Sequence, residues 1–117
     1  MNSRILITGG AGYIGSVLTP YLLEKGFSVT VIDNLSFKQT SLLSCFSNPD
    51  FSFIQGDACN DTLIKKLMGE ADIIIPLAAI VGAPACDRSP ILSKQLNVDA
   101  ISLLIKHLSP HQKVIYP

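Results

Sequence analysis

An excess of charge of either sign is what this chain most clearly lacks. Nine basic and nine acidic residues cancel over 117 positions, and no block of like charge interrupts them. A polyanionic nucleic acid or an anionic membrane surface therefore finds no electrostatic counterpart. Any small anionic ligand must be held by backbone dipoles instead. Cysteine is also sparse. Cys45, Cys59 and Cys86 are odd in number and form no close-spaced pair, which argues against a disulfide framework or a zinc site and fits a reducing, cytoplasmic setting. Long hydrophobic runs are missing as well. The apolar stretch from Ile73 to Ala85 is thirteen residues long and contains Pro76, Gly82 and Pro84, too short for the roughly 20 residues a bilayer demands. Near the N-terminus, glycines break the apolar run and no cleavage pattern follows, so no signal peptide is expected.

What is present is an apolar, lightly charged chain, 48% hydrophobic and 15% charged, the composition of strands buried on both faces. The turn Thr8-Gly9-Gly10-Ala11-Gly12-Tyr13-Ile14-Gly15 follows the apolar run Ile5-Leu6-Ile7 and precedes an amphipathic stretch. A glycine turn between strand and helix lets the backbone reverse, lets a pyrophosphate approach the main chain, and lets the helix pack close to the strand. The phosphates would sit on the unpaired N–H groups and positive dipole end of that helix. The glycines fit two registers, Gly10-x-Gly12-x-x-Gly15 and Gly9-x-x-Gly12-x-x-Gly15, and spacing does not choose between them. A second strand, Ser28 to Asp33, ends in a carboxylate eighteen positions after Gly15, near the distance at which a ribose-binding acid is expected.

Periodicity predicts a helix over 13–25 with Ile14, Val17, Leu18, Tyr21 and Leu22 on its apolar stripe, mildly kinked by Pro20 and stopped by Gly26. A short helix is expected around 41–46 and a third strand over 51–54. Asn60 or Asp61 caps a helix that buries Ile64, Leu67 and Met68 and ends at Gly69. Ile73 to Leu77 reads as a fourth strand, with Pro76 tolerable only near its end. A helix from Ser89-Pro90 to about Leu108 carries Asn97, Ile101, Leu104 and Leu108 on one stripe, and Val114 to Tyr116 forms a fifth strand. The Asn97 amide is equally consistent with a polar pin between helix and sheet and with a cofactor contact. Strand and helix alternate, so the expected fold is a doubly wound parallel α/β sheet with right-handed crossovers. His107 and His111 have zinc-like spacing, but Pro110 breaks the helix between them, and a solvated helix end is expected.

Taken in order, the motifs Thr8 to Gly15, Asp33-Asn34-Leu35, Gly56-Asp57, Leu77-Ala78-Ala79 and Asn97-Val98 resemble the N-terminal part of the extended short-chain dehydrogenase/reductase family, in its NAD-dependent nucleotide-sugar epimerase/dehydratase group. The resemblance covers essentially the whole chain and implies an incomplete Rossmann domain over 1–117 with five strands. It implies NAD as cofactor, a nucleotide-sugar substrate for the complete enzyme, and allows a homodimer. It settles the glycine register as Gly9, Gly12 and Gly15, with Tyr13 and Ile14 in the same loop. It assigns the adenosine ribose to Asp33, places the adjacent Asn34 in the cofactor set, and gives the adenine border to Asp57 and Ala58, although Asp57 reads nearly as well as a turn residue after Gly56. Leu77, Ala78 and Ala79 would line the path to the nicotinamide ribose, and Asn97 joins the cofactor set. A carboxylate at 33 also repels a 2'-phosphate and so favours NAD over NADP.

The family's catalytic Ser or Thr and its Tyr-x-x-x-Lys pair belong beyond the fifth strand, and no catalytic residue is expected within these 117 positions. The literal match Tyr21-Leu22-Leu23-Glu24-Lys25 reads as core packing in the first helix. Pro76 stands where the family often has a histidine, and Val81 where some epimerases have a lysine. The alternative function is a non-catalytic NAD-binding sensor or scaffold.

Overall fold

A computed structural model describes residues 3–9, 13–33, 42–57, 59–77 and 101–115. Its strands are β1 (Arg4–Thr8), β2 (Ser28–Asp33), β3 (Phe51–Gln55), β4 (Ile73–Pro76) and β5 (Lys113–Val114). They form one parallel sheet in the order β3-β2-β1-β4-β5. Helix α1 (Tyr13–Glu24) links β1 to β2, and α2 (Asp61–Gly69) links β3 to β4. The described part of α3 spans 101–106. A single 3-10 turn, Leu43–Cys45, stands where the short helix is expected. This is the doubly wound Rossmann arrangement.

Strand alternation divides the core into two layers. Ile5, Ile7, Val29, Val31 and Ile75 face α1 and meet Leu23 and, less deeply, Leu18 and Leu22. Leu6, Ile32 and Ile74 face the other way and pack with Ile64, Leu67 and Met68 of α2 and Leu104 of α3. Pro76 is the last residue of β4, level with Thr8 of β1, at the strand end where proline is tolerated. On the β1 side the pairing continues past it, because Leu77 N donates to the Thr8 carbonyl at 2.7 Å.

Three sequence expectations need correction. The stripe of α1 does not face the sheet as a unit, since Ile14 (55%), Val17 (63%) and Tyr21 (55%) are exposed. The buried face is centred on Gly15, Thr19 and Leu23. Thr19 is fully buried, and its Oγ1 has no hydrogen-bond partner among the described residues. Small residues at 15 and 19 let the helix close on the sheet, and a hydrophobicity count does not see them. The helix also runs through Pro20 and stops where Gly26 takes a φ of 93°. Leu104 of α3 is buried, but the helix ends at 106 and Leu108 beyond it is exposed. Finally, β5 begins one residue early and is short, although Ile115 N still donates to the Ile74 carbonyl at 2.9 Å. Val114 and Ile115 remain exposed at this sheet edge. Asn97 and Tyr116 lie outside the described residues.

The C-terminal end of α2 is held by a residue distant in sequence. The Gln112 side-chain amide donates to the carbonyls of Met68 and Ala71, the latter at 2.9 Å, while its oxygen accepts from Ser109 N. Helix ends leave carbonyls short of partners; here Met68 already accepts from Ala71 N, and Gln112 adds a donor to it and supplies one to Ala71. Gln112→Ala is expected to destabilise the fold by about 1–3 kcal/mol, since the Ala71 carbonyl loses its side-chain donor. A thermal melt checks this, and an unchanged midpoint would remove Gln112 from the account.

Asp72 links three strands at the amino end of the sheet. Its carboxylate accepts from Arg4 N at 2.8 Å, its own N donates to the Arg4 carbonyl, and its carbonyl accepts from Lys113 N. The Arg4 backbone bond is the main reason its carboxyl is held below the usual range. Asp61 is likewise lowered, chiefly by His107 and then by Lys106. A carboxyl whose folded pKa is depressed stabilises above its unfolded pKa and loses that contribution as pH falls through the folded value. The melting temperature is therefore expected to fall on acidification below the ordinary aspartate range of about 4. Asp72→Asn should flatten that slope, and an identical slope in the variant would contradict the assignment.

Candidate functional site

In a sheet ordered β3-β2-β1-β4-β5, the chain leaves β1 towards β2 on one side and returns to β4 on the other. The crevice outside the carboxyl ends of β1 and β4 is thus the topological switch point, where such sheets bind ligands. The sequence motifs converge on it. Register places Thr8 beside Ile32 and Pro76, and Asp33 beside Gln55. Gly9, Asp33, Gly56-Asp57 and Leu77 accordingly share one end of the sheet.

Gly9 shows why this turn needs glycine. Its φ is 76°, a left-handed conformation that costs an L side chain about 1–2 kcal/mol. Its N–H reaches across to the Ile32 carbonyl at 2.7 Å. The turn is thereby clamped from one side by β2 and from the other by the Leu77–Thr8 bond. It leads to α1, whose first turn carries no acidic residue, so no side-chain anion competes for the positive helix end. Ile14 is exposed and Gly15 is buried within this first turn. Tyr13 is the first helical residue.

Asp33 ends β2 in a half-buried position, and its carbonyl accepts from Gly56 N at 3.1 Å. A Cβ on Gly56 would lie 2.6 Å from Leu63 Cδ2, so glycine lets this loop tuck beneath α2. Asp57 is exposed. Its carboxylate accepts from Cys59 N at 2.8 Å and its carbonyl from Asn60 N at 3.0 Å. The turn reading of Asp57 is therefore realised, and an exposed edge remains for a ligand. Asn60 is the N-cap, its Oδ1 accepting from Leu63 N at 3.1 Å. Of the remaining predicted residues, Gly12, Asn34, Ala58, Ala78, Ala79 and Asn97 lie outside the described residues.

Tyr21 and Lys25 are placed well away from this crevice. Tyr21 is about 12 Å along the axis from the start of α1 at the helical rise. Lys25 Nζ lies over its ring, 5.3 Å from the centroid, a cation–π pair on the surface. The expected core packing of Tyr21 does not hold, since it is exposed: apolar residues run most of the way round α1, and this one falls on the outer side. His107 also departs from expectation. Its side chain is only 13% exposed and Nε2 lies 2.8 Å from Asp61 Oδ1. No sequence signal announces that pairing across 46 positions. Among the described residues no cluster could hold a metal ion, and no helix is long and apolar enough to cross a membrane.

Comparison with known proteins supplies the wider setting. Residues 5–115 match the family described as NAD dependent epimerase/dehydratase. The chain is 36% identical over 118 residues to a UDP-glucose 4-epimerase of Halalkalibacterium halodurans, covering 96% of this chain and 33% of that protein. It is similar in structure to the UDP-Glc/GlcNAc 4-epimerase of Campylobacter jejuni, with TM-score 0.84 and 28% identity over 98% of this chain and 36% of the other. It is also similar to the UDP-glucose 4-epimerase of Brucella ovis in complex with NAD, with TM-score 0.80 and 26% identity over 97% and 35% of the two chains. The chain spans about a third of the length of each.

Proposed function

The chain belongs to the NAD dependent epimerase/dehydratase family, and from that premise we propose that it is the NAD-binding part of an enzyme acting on a nucleotide-linked sugar. The observation that carries the proposal is the meeting of three features at the switch point: a left-handed glycine at the end of β1, a helix start free of acidic residues, and Asp33 at the end of β2. These residues fit a dinucleotide. Gly9, its own N–H committed to Ile32, would shape the turn, and Gly12, Tyr13, Ile14 and Gly15 would present backbone donors and space to the pyrophosphate. Asp33 would take the adenosine ribose, with Asn34 beside it in the cofactor set, Asp57 and Ala58 the adenine edge, and Leu77, Ala78 and Ala79 the approach to the nicotinamide ribose, with Asn97 also in the cofactor set. Bound NAD supplies a hydride acceptor that is reduced and reoxidised within one catalytic cycle. The cytoplasmic setting and the homodimer belong to the same proposal. Exposed Ile105 and Leu108 on and after α3 support association.

A second reading has one observation in its favour. The Tyr-x-x-x-Lys match at Tyr21 and Lys25 is a surface cation–π pair, an arrangement that a sensor or scaffold binding NAD without turnover accommodates. Reading the coding sequence past residue 117 separates the two. A Ser or Thr followed by a Tyr-x-x-x-Lys pair after the fifth strand supports the enzyme. NAD binding by the protein with no such pair encoded supports the module.

A further inference from the structure

We propose that Leu63 is a positioning residue for the dinucleotide site, its side chain filling the space beside Gly56 and so setting how far the turn from Gly56 to Asn60 stands from α2. The inference rests on the reading of Asp57 as the adenine-edge residue and deepens it by naming what places that edge. Gly56 is a glycine for a different reason from Gly9. Among the described glycines only Gly9 and Gly26 take a positive φ, so the backbone at 56 is open to a residue with a side chain. The obstacle is Leu63. A Cβ at 56 would lie 2.6 Å from Leu63 Cδ2, well inside the roughly 3.5–4.0 Å at which two carbons meet favourably. On the other wall Ile32 Cδ1 and Cγ1 would stand at 3.6 and 3.8 Å, which is ordinary contact.

Leu63 is itself held. It is partly buried and packs against the layer that contains Ile32, Ile64 and Leu67, while its N–H is tied to Asn60 Oδ1 at 3.1 Å. The hydrogen bonds of the turn act elsewhere. Gly56 N donates to the Asp33 carbonyl, Cys59 N to the Asp57 carboxylate and Asn60 N to the Asp57 carbonyl, which hangs the start of the turn on β2 and leads its end into the helix cap. None of these bonds sets the gap between the start of the turn and α2. The Leu63 contact does, and one peptide bond carries its effect from Gly56 to Asp57.

Two opposite changes should therefore cancel. Gly56→Ala pushes the turn away from α2, Leu63→Ala removes the support and lets it sink, and in the double variant the added methyl takes up part of the vacated space. Side chains in direct contact are where additivity fails.

The position of Asp57 is read by comparing NAD with nicotinamide hypoxanthine dinucleotide, whose base carries a 6-oxo group where adenine has a 6-amino group. The exposed Asp57 carboxylate accepts from the amino group and opposes the oxo group. Loss of stability alone lowers both affinities together and leaves their ratio unchanged. The wild type is expected to favour NAD by about threefold to tenfold, the worth of one hydrogen bond. That ratio should approach one in Gly56→Ala and in Leu63→Ala and recover in the double variant. The Cys59 and Asn60 amide chemical shifts, recorded without cofactor, should move in each single variant and return towards wild type in the double. Should Leu63→Ala melt too low, Leu63→Val, which withdraws the δ carbon, takes its place. Shifts that add in the double variant would overturn the pairing of Leu63 with Gly56. Shifts that return while the ratio does not would overturn the positioning role. A wild type that binds both dinucleotides equally would overturn the Asp57 reading and the positioning role with it, while the cofactor-free shifts still report the pair.

Discussion

Gly9→Val is expected to lower NAD affinity by at least about a hundredfold while leaving the far-UV circular dichroism close to that of the wild type. A β-branched side chain at a φ of 76° carries a strain of about 1–3 kcal/mol. The turn can relieve it only by moving, which breaks the Gly9–Ile32 bond and displaces the amides offered to the pyrophosphate. Gly12→Val, at the position where the sequence places closest phosphate approach, should give the same loss without requiring the left-handed argument. Isothermal titration of NAD into both variants checks the expectation. Unchanged affinity in both would place the ligand elsewhere.

The second large effect concerns cofactor choice. The wild type is expected to prefer NAD over NADP, because Asp33 accepts from ribose hydroxyls and repels a 2'-phosphate. Asp33→Ala should weaken NAD by about 1.5–3 kcal/mol, the usual value of hydrogen bonds to a charged group, and should narrow the gap to NADP from both sides. Parallel titrations of the two cofactors decide it. Equal affinities in the wild type would refute the role given to Asp33.

What could be read from the sequence was the part governed by local pattern. Ile5-Leu6-Ile7, Val29-Thr30-Val31-Ile32 and Ile73-Ile74-Ile75 lie in strands of the sheet because apolar runs of that length are what parallel strands require. Asn60 caps α2 as its residue type suggested, and the glycine turn precedes α1 as the phosphate-loop pattern demands. What could not be read depends on neighbours distant in the chain. The face of α1 was misassigned because Thr19 and Gly15, which count as non-hydrophobic, occupy the tightest contact, while Ile14, Val17 and Tyr21 fall outside it. The Gln112 cap reaches a carbonyl 44 positions away, and His107 finds Asp61 across a similar distance. Neither residue type announces such a partner, since glutamine and histidine at a helix end are ordinarily solvated.

The central claim is that NAD is held across the carboxyl ends of β2, β1 and β4, and amide chemical-shift mapping during an NAD titration of the isotope-labelled protein tests it most directly. Perturbations are expected to concentrate at Gly9, Gly15, Asp33, Gly56, Asp57 and Leu77, with Arg4, Asp72 and Lys113 at the opposite end of the sheet unmoved. Perturbations clustered at Arg4, Asp72 and Lys113, or none at Gly9 and Asp33 under saturating NAD, would contradict it.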